Sequence, residues 1–421
     1  MSSLNVPEDT LSTLGPPRSP SRASRRASAD AGIKETLNAV FREESDGQRT
    51  LNQYIIKDVL GKGAYGTVYY GVDTSAEGQN EGVAIKEFSK SKLRRQKLQR
   101  EGGPFGARGL RGRGRGAGVA PSALSHANML AKSDNPIDLV RGEIAILKKL
   151  DHENVVRLYE VLDDPQQDSL YMVFELCSKG PIMDISLDKP TAPLPEDLAR
   201  DYFRQMILGI EYRVYLLHEH DIAHRDIKPD NMLVAADGTL KIVDFGVSEI
   251  FSPASDRLKT SAGSPAFSAP EVCVAHHGDF SARACDIWAM GVTLYCMLFG
   301  SLPFNGTSII DLYESIRSAP TPYPDSASAL QRNVLERLLE KNPTQRISMD
   351  ELRARKMVHP WVTKNGTAPL RSRSENCVPV SDITEEDIKT AVKGIIPLFT
   401  VLKAVNKLKK LRQSAEVDSK G

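Results

Sequence analysis

The chain is short of the features that mark several large classes of protein. Its five cysteines, Cys177, Cys273, Cys285, Cys296 and Cys377, are odd in number and scattered. None has the C-x-x-C spacing that a metal or redox site needs, so reduced thiols and a cytoplasmic or nuclear setting are expected. Charge of one sign is not in excess: 55 Lys and Arg stand against 54 Asp and Glu, for a net charge of +1. That balance excludes a general attraction to nucleic acid or membrane and makes any basic function local. No run approaches the roughly 18 apolar residues that span a bilayer. The opening Met1-Ser2-Ser3-Leu4 lacks the apolar core of a signal peptide and the second-position glycine of a myristoylated chain. A soluble protein with no membrane partner is expected.

What is present fits one large two-lobed domain with tails, since 421 residues suffice to bury a substantial core. Residues 1–50, centred on Ser19-Pro20-Ser21-Arg22-Ala23-Ser24-Arg25-Arg26-Ala27-Ser28, hold too little apolar surface to order themselves and read as a disordered arm. From Tyr54 the alternation of Tyr54-Ile55-Ile56, Val68-Tyr69-Tyr70 and Val83-Ala84-Ile85, broken by glycines, predicts short antiparallel strands. After Gly180 the periodicity becomes helical over Leu198–Tyr215, Asp286–Leu298 and Asn333–Leu339. Between strands and helices lies a mobile Arg/Gly-rich insertion at about residues 100–132, with Arg111-Gly112-Arg113-Gly114-Arg115-Gly116 at its centre. RNA binding is the competing reading of that tract. Its shortness, its one aromatic (Phe105) and its position inside a folded domain argue against a nucleic-acid partner.

Four motifs carry chemistry. Gly61-Lys62-Gly63-Ala64-Tyr65-Gly66-Thr67-Val68 fits G-x-G-x-x-G-x-V, in which absent side chains let backbone N–H groups close over the phosphates of ATP. It lies between two predicted strands, unlike the dinucleotide fingerprint, which precedes a helix. Val83-Ala84-Ile85-Lys86 places Lys86 on a strand to hold the α and β phosphates, and Glu143, on a helix whose Leu147 and Leu150 form an apolar stripe, is the carboxylate to orient it. His224-Arg225-Asp226-Ile227-Lys228-Pro229-Asp230-Asn231 is followed by Asp244-Phe245-Gly246. In this pairing Asp226 accepts or orients the substrate hydroxyl proton, and Asn231 and Asp244 hold Mg²⁺. Lys228 reaches the γ-phosphate; a lysine there, in place of the Ala-Ala-Arg pattern of tyrosine kinases, predicts serine/threonine specificity. Ala269-Pro270-Glu271 closes the following segment, whose hydroxyls Thr260, Ser261 and Ser264 are candidates for phosphorylation, and Arg346 is the expected partner of Glu271.

With these motifs, residues 54–361 resemble the eukaryotic protein kinase fold. The expected class is α+β, with a small β-rich N-lobe (54–178) and a larger helical C-lobe (179–361). The segments Glu143–His152, Glu160–Pro165, Lys179–Met183 and His359–Gly366, with the insertion before the Glu143 helix, are similar to the calcium/calmodulin-dependent protein kinase kinases. That resemblance implies that Leu60, Val68 and Ala84 roof the adenine, Leu233 forms its floor and Phe174 is the gatekeeper. It also implies that Glu175 and Cys177 offer hinge backbone groups, and that the cofactors are ATP and Mg²⁺. The implied substrates are protein kinases, phosphorylated on an activation-loop threonine. A calmodulin-independent kinase upstream of the AMP-activated group and an inactive kinase-like scaffold are the alternatives. Where the family reads Gly-Leu-Glu-Tyr-Leu-His, this chain reads Gly209-Ile210-Glu211-Tyr212-Arg213-Val214-Tyr215-Leu216-Leu217-His218. Four added residues lengthen a helix by about 6 Å, so they must be looped out or rotate a core helix.

The segment 381–413 is the expected autoinhibitory and calmodulin-binding region. From Lys389 to Arg412 it holds seven basic residues and no acidic one. Leu398, Leu402, Val405 and Leu408, with Phe399 and Leu411 beside them, recur as the apolar face of a regulatory helix that suits the acidic, methionine-lined groove of Ca²⁺-loaded calmodulin. A helix packed on the lobe, or one lying on an anionic membrane, has the same pattern.

Overall fold

The computed structural model describes residues 33–45, 47–62, 66–75, 81–91, 144, 147, 150–164, 166–187, 189–216, 222–223, 226–243, 249–250, 257–258, 263–274, 279–353 and 359–377. Of the sequence expectations, the Arg/Gly tract, Gly63, Glu143, Asp244, Thr260, Ser261 and the whole of 381–413 lie outside the described residues.

The N-lobe is built on an eight-stranded sheet in the order β1-β7-β8-β6-β5-β4-β3-β2. Its strands are β1 (Lys34–Thr36), β2 (Phe41–Glu43), β3 (Arg49–Leu51), β4 (Tyr54–Lys62), β5 (Gly66–Asp73), β6 (Gly82–Ser89), β7 (Leu158–Asp163) and β8 (Ser169–Glu175). Alternation along β6 sorts its side chains between two faces, because cross-strand partners share a face. Val68 pairs with Lys86, and Ala84 with Phe174. These four residues therefore share one face, while Val83 and Ile85 take the other.

That second face is covered, and here the expectation of a disordered arm through residue 50 is corrected. β1 pairs in parallel with β7, and β2 and β3 extend the far edge of the same sheet beyond β4. Residues 37–40 alone connect the two edges, so the sheet is curled nearly shut. Ala39 and Leu51 join Tyr54, Ile56, Val83, Ile85, Leu162, Tyr171 and Val173 in one buried cluster. Glu160 of β7, 1% exposed, fastens the strap. It accepts hydrogen bonds from Thr36 Oγ1, from Gln53 Nε2 at 2.9 Å and from Tyr54 OH at 2.7 Å, and pairs with Lys34 Nζ at 3.4 Å. A buried carboxylate needs such partners to offset its lost hydration. Leu51→Ala should therefore cost about 2–5 kcal/mol, read by denaturant unfolding. A chain beginning at Tyr54 should melt below one beginning at Ile33; identical melting temperatures would mean that the strap adds nothing to the lobe.

The C-lobe packs around α2 (Ala282–Phe299), which follows α1 (Glu196–Leu216) and precedes α3 (Ile309–Ser318), α4 (Ala329–Leu338) and α5 (Met349–Arg353). The Ser281 hydroxyl caps α2 by accepting from Ala284 N at 3.2 Å. Gly300 ends it at φ 67°, where an added Cβ would lie 2.0 Å from Thr191 O, so both the turn and the close approach require glycine. Although no membrane-length apolar run was expected, α2 is by length and composition apolar enough to cross a bilayer. It is a core helix instead: 78% of it is buried inside the lobe, with Trp288, Met290, Val292, Leu294 and Cys296 fully enclosed.

The added residues 213–216 are not looped out: α1 runs unbroken through Leu216, 21 residues in all. Glu211 and Tyr212 stay buried in the core, so the extra length extends the C-terminal end of the helix. Packing also continues past the expected end of the domain at residue 361. Arg200 Nε donates to Trp361 O at 2.8 Å, and Arg204 holds the carbonyls of Val362, Ala368 and Pro369. A short α6 (Arg373–Asn376) then docks on α1.

Candidate active site

The small β-strands of the C-lobe make the floor of the cleft. β9 (Gly180–Pro181) pairs with β11 (Met232–Val234), which pairs with β12 (Leu240–Ile242); β10 (Ile222–Ala223) pairs separately with β13 (Glu249–Ile250). Met232, Val234, Leu240 and Ile242 all belong to the C-lobe core. Period-two alternation therefore turns Leu233 and its cross-strand partner Lys241 to the opposite side. The floor is joined to the upper lobe by backbone bonds. Ile242 N donates to Asn154 O at 2.9 Å, and Val156 N to Ile242 O at 3.0 Å.

Asp226, Lys228 and Asn231 meet in one cluster just before and within a short 3₁₀ turn (Pro229–Asn231). Asn231 Nδ2 donates to Asp226 O at 2.7 Å and to Asp226 Oδ2 at 2.9 Å, and Lys228 Nζ is 2.9 Å from the same Oδ2. The other carboxylate oxygen, Oδ1, accepts from Ser264 N at 3.0 Å and from Ser264 Oγ at 2.9 Å; Lys228 Nζ also donates to Ser264 Oγ at 2.7 Å. Asp226 is thus gripped from both sides, which fixes where its oxygens lie. Val243 N donates to Asn231 O at 3.0 Å, tying the cluster to the strand end that leads to Asp244.

Ser264, a phosphorylation candidate by sequence, is a further member of this cluster, its hydroxyl engaged by Asp226 and Lys228 together. The usable signal was its place in Gly263-Ser264-Pro265-Ala266-Phe267, shortly before Ala269-Pro270-Glu271. Ser264→Ala removes both bonds of the hydroxyl, and at about 1 kcal/mol each turnover should fall roughly 30-fold. Ser264→Thr should retain most of it, as initial rates on a peptide would show.

Above the floor, Val68, Ala84, Lys86 and Phe174 share the sheet face described above, with Leu60 half-buried beside them at the end of β4. Lys86 Nζ lies 4.9 Å from the Phe88 ring centroid. Gly66 is dictated by packing: a Cβ there would lie 1.7 Å from Glu87 O, whereas one at Gly61 would meet nothing within 4 Å. Ile144 and Leu147 are helical and buried, and Leu150, which is not helical, is buried too, so the expected apolar positions are covered. At the hinge, Glu175 N donates to Arg157 O at 2.9 Å and Gly180 N to Cys177 O at 3.0 Å. Burial, and secondarily the Glu175 carboxylate, push the Cys177 thiol up to about 12, so it is not a nucleophile at neutral pH.

Glu271 and Arg346 form the expected pair as a two-bond fork, with N–O distances of 2.8 and 2.9 Å, and Arg346 also donates to Ala284 O at 2.7 Å. This fastens the end of the activation segment to α2.

A curled sheet over a helical lobe, with an Asp-Lys-Asn cluster and a glycine-bearing hairpin in the cleft between them, is the architecture of a two-lobed phosphotransferase. The comparisons agree: the protein kinase domain family matches residues 117–362. Calcium/calmodulin-dependent protein kinase kinase cmkC of Emericella nidulans is 40% identical over 412 residues, covering 94% of this chain and 75% of that protein. The calcium/calmodulin-dependent protein kinase kinase of Caenorhabditis elegans is 40% identical over 371 residues, 87% of this chain and 62% of the relative. Serine/threonine-protein kinase GRIK2 of Arabidopsis thaliana is 38% identical over 330 residues, 78% of this chain and 70% of the relative. The chain belongs to the protein kinase family and, within it, to the calcium/calmodulin-dependent protein kinase kinases, and it is a serine/threonine protein kinase.

Proposed function

We propose that the chain transfers the γ-phosphate of ATP to activation-loop threonines of downstream protein kinases, under control of Ca²⁺-loaded calmodulin. The observation that supports the transfer chemistry is the Asp226 carboxylate, held by Ser264, Lys228 and Asn231. Its position is fixed by donors on both oxygens, so it orients a substrate hydroxyl and takes its proton as transfer proceeds. Lys228 sits beside it with a cationic group for the transferred phosphoryl. Asn231 suits a hard cation: its amide nitrogen is committed to Asp226, which leaves the amide oxygen to serve Mg²⁺, with Asp244 as the second ligand. Bound Mg²⁺–ATP supplies the phosphoryl group and the countercharge for it. Lys86 holds the α and β phosphates with Glu143 orienting it, and Gly61, Gly63 and Gly66 give the backbone close approach. Leu60, Val68, Ala84, Phe174 and Leu233 enclose the adenine, with Glu175 and Cys177 at the hinge.

The family supports the reading of substrate and regulator. Two of the relatives carry calcium/calmodulin dependence and kinase substrates in their names, and the spacing of Leu398, Phe399, Leu402, Val405, Leu408 and Leu411 in the sequence suits a calmodulin target. The reduced, scattered cysteines support a cytoplasmic or nuclear site of action. The test is phosphate transfer to a kinase bearing an activation-loop threonine, with and without Ca²⁺/calmodulin. Transfer that depends on calmodulin and is lost on Thr→Ala in the substrate supports the reading. Full activity without calmodulin would favour a calmodulin-independent kinase of the same family.

A further inference from the structure

Behind the hinge a buried lysine crosses from one lobe to the other. Lys241 Nζ is 2.8 Å from Glu175 Oε2, and the two side chains are 5% and 22% exposed. Lys241 belongs to β12, where it is the register partner of Leu233, the floor residue, and it stands three residues before Asp244. Glu175 ends β8 in the upper sheet, where it pairs with Val83, and its backbone is the first of the hinge. The ion pair therefore joins β12, a strand of the floor, to the end of β8, the strand that runs into the hinge. Burying a lysine in this way is costly, and an apolar pair of the same shape would hold the two strands together at least as firmly. What an ion pair with a short, directed bond adds is a fixed separation.

We propose that the Lys241–Glu175 pair sets the gap between hinge and floor, which makes Lys241 a positioning residue for the adenine of ATP. The inference rests on the reading that Glu175 and Cys177 receive adenine, and it deepens that reading. No role in the chemical step follows, since Nζ is committed to Glu175.

The test uses the full chain, with ATP as varied substrate, saturating peptide and adenosine binding by titration calorimetry as the non-catalytic readout. Lys241→Met should raise KM for ATP and weaken adenosine binding, each by about 10-fold, with kcat within about twofold of the parent, the pattern of lost ground-state binding. Lys241→Arg, which keeps the charge and the donor, should stay within about threefold. Glu175→Gln should reproduce the Met effect, and the double variant should be no worse than either single one, because both remove one interaction. A lower melting temperature with unchanged KM and adenosine affinity would make the pair merely structural and overturn the proposal, as would fully additive effects. Should Lys241→Met not fold, Glu175→Gln alone carries the decision. A separate arm, Ala84→Trp, fills the adenine space. If it leaves adenosine binding intact, the hinge reading itself fails. If it blocks binding while Glu175→Gln and Lys241→Met do not move it, only the positioning role fails.

Discussion

Replacing Asp226 by asparagine should lower kcat by about 10²- to 10⁴-fold, the usual worth of a positioned acid–base group, while ATP still binds. The structure adds a reason beyond the lost proton acceptor. The carboxylate is held by at least four donors: Ser264 N and Oγ on one oxygen, Asn231 Nδ2 and Lys228 Nζ on the other. Asparagine must present its own NH₂ to one of these pairs, so two donors face each other and the 226–231 turn has to shift. The lysine then loses its anionic partner too. Single-turnover transfer with bound ATP measured in parallel would separate chemistry from binding. A folded Asp226→Asn protein with near-normal turnover would remove Asp226 from the catalytic role. The melting temperature should fall only slightly, because the residue lies in the cleft and is outside the main core cluster.

The parts of this molecule that sequence made legible are those built from local spacing. The Gly61–Val68 hairpin, the strand carrying Lys86 and the turn from Asp226 to Asn231 each declare themselves within about ten residues. Their side chains meet because strand and turn geometry leaves little choice. The strap was illegible for the opposite reason. β1 and β2 are three residues each, too short for periodicity to register, and they follow a Ser- and Arg-rich stretch whose composition argues for disorder. They are strands because of what they pair with: Thr36 meets Leu162, a partner 126 positions away. Ser264 was invisible as a site residue because nothing in its neighbourhood distinguishes a hydroxyl that holds Asp226 from one that awaits phosphate. Lys241 reads as an ordinary strand lysine until the register puts it opposite Leu233 and within reach of Glu175.

The same long-range logic decides where the proposed regulatory segment should be cut. From the sequence, removal of everything after about residue 370 is expected to free the kinase from calmodulin. The structure moves that boundary. Glu211 on α1 is 1% exposed and takes Arg353 Nε at 2.8 Å, Arg373 Nε at 3.1 Å and Asn376 Nδ2 at 2.9 Å. Asn376 Nδ2 also donates to Leu208 O at 3.0 Å, and Asn376 Oδ1 lies 2.9 Å from His152 Nε2, in the loop that joins the Leu147 helix to β7. Burial holds the His152 imidazole below its ordinary pKa, so the ring is neutral and donates to that amide oxygen. A chain ending at Leu370 strips Glu211 of two partners and leaves His152 without its acceptor. At about 1–3 kcal/mol for each buried group left unpaired, it should melt well below the full chain and lose activity for that reason alone. A chain ending at Cys377 keeps the network, and should melt with the full chain while showing Ca²⁺-independent activity. The motive is that one amphipathic helix has a single apolar face, which the kinase and calmodulin cannot both cover. In the full chain, Leu402→Asp with Leu408→Asp places two carboxylates on that face and should weaken calmodulin binding by at least about 100-fold. Continued need for calmodulin in the chain ending at Cys377 would sink the autoinhibitory role of residues 381–413. A normal melting temperature for the chain ending at Leu370 would show instead that α6 is an ornament on the lobe, and that the root of the tail is free to move.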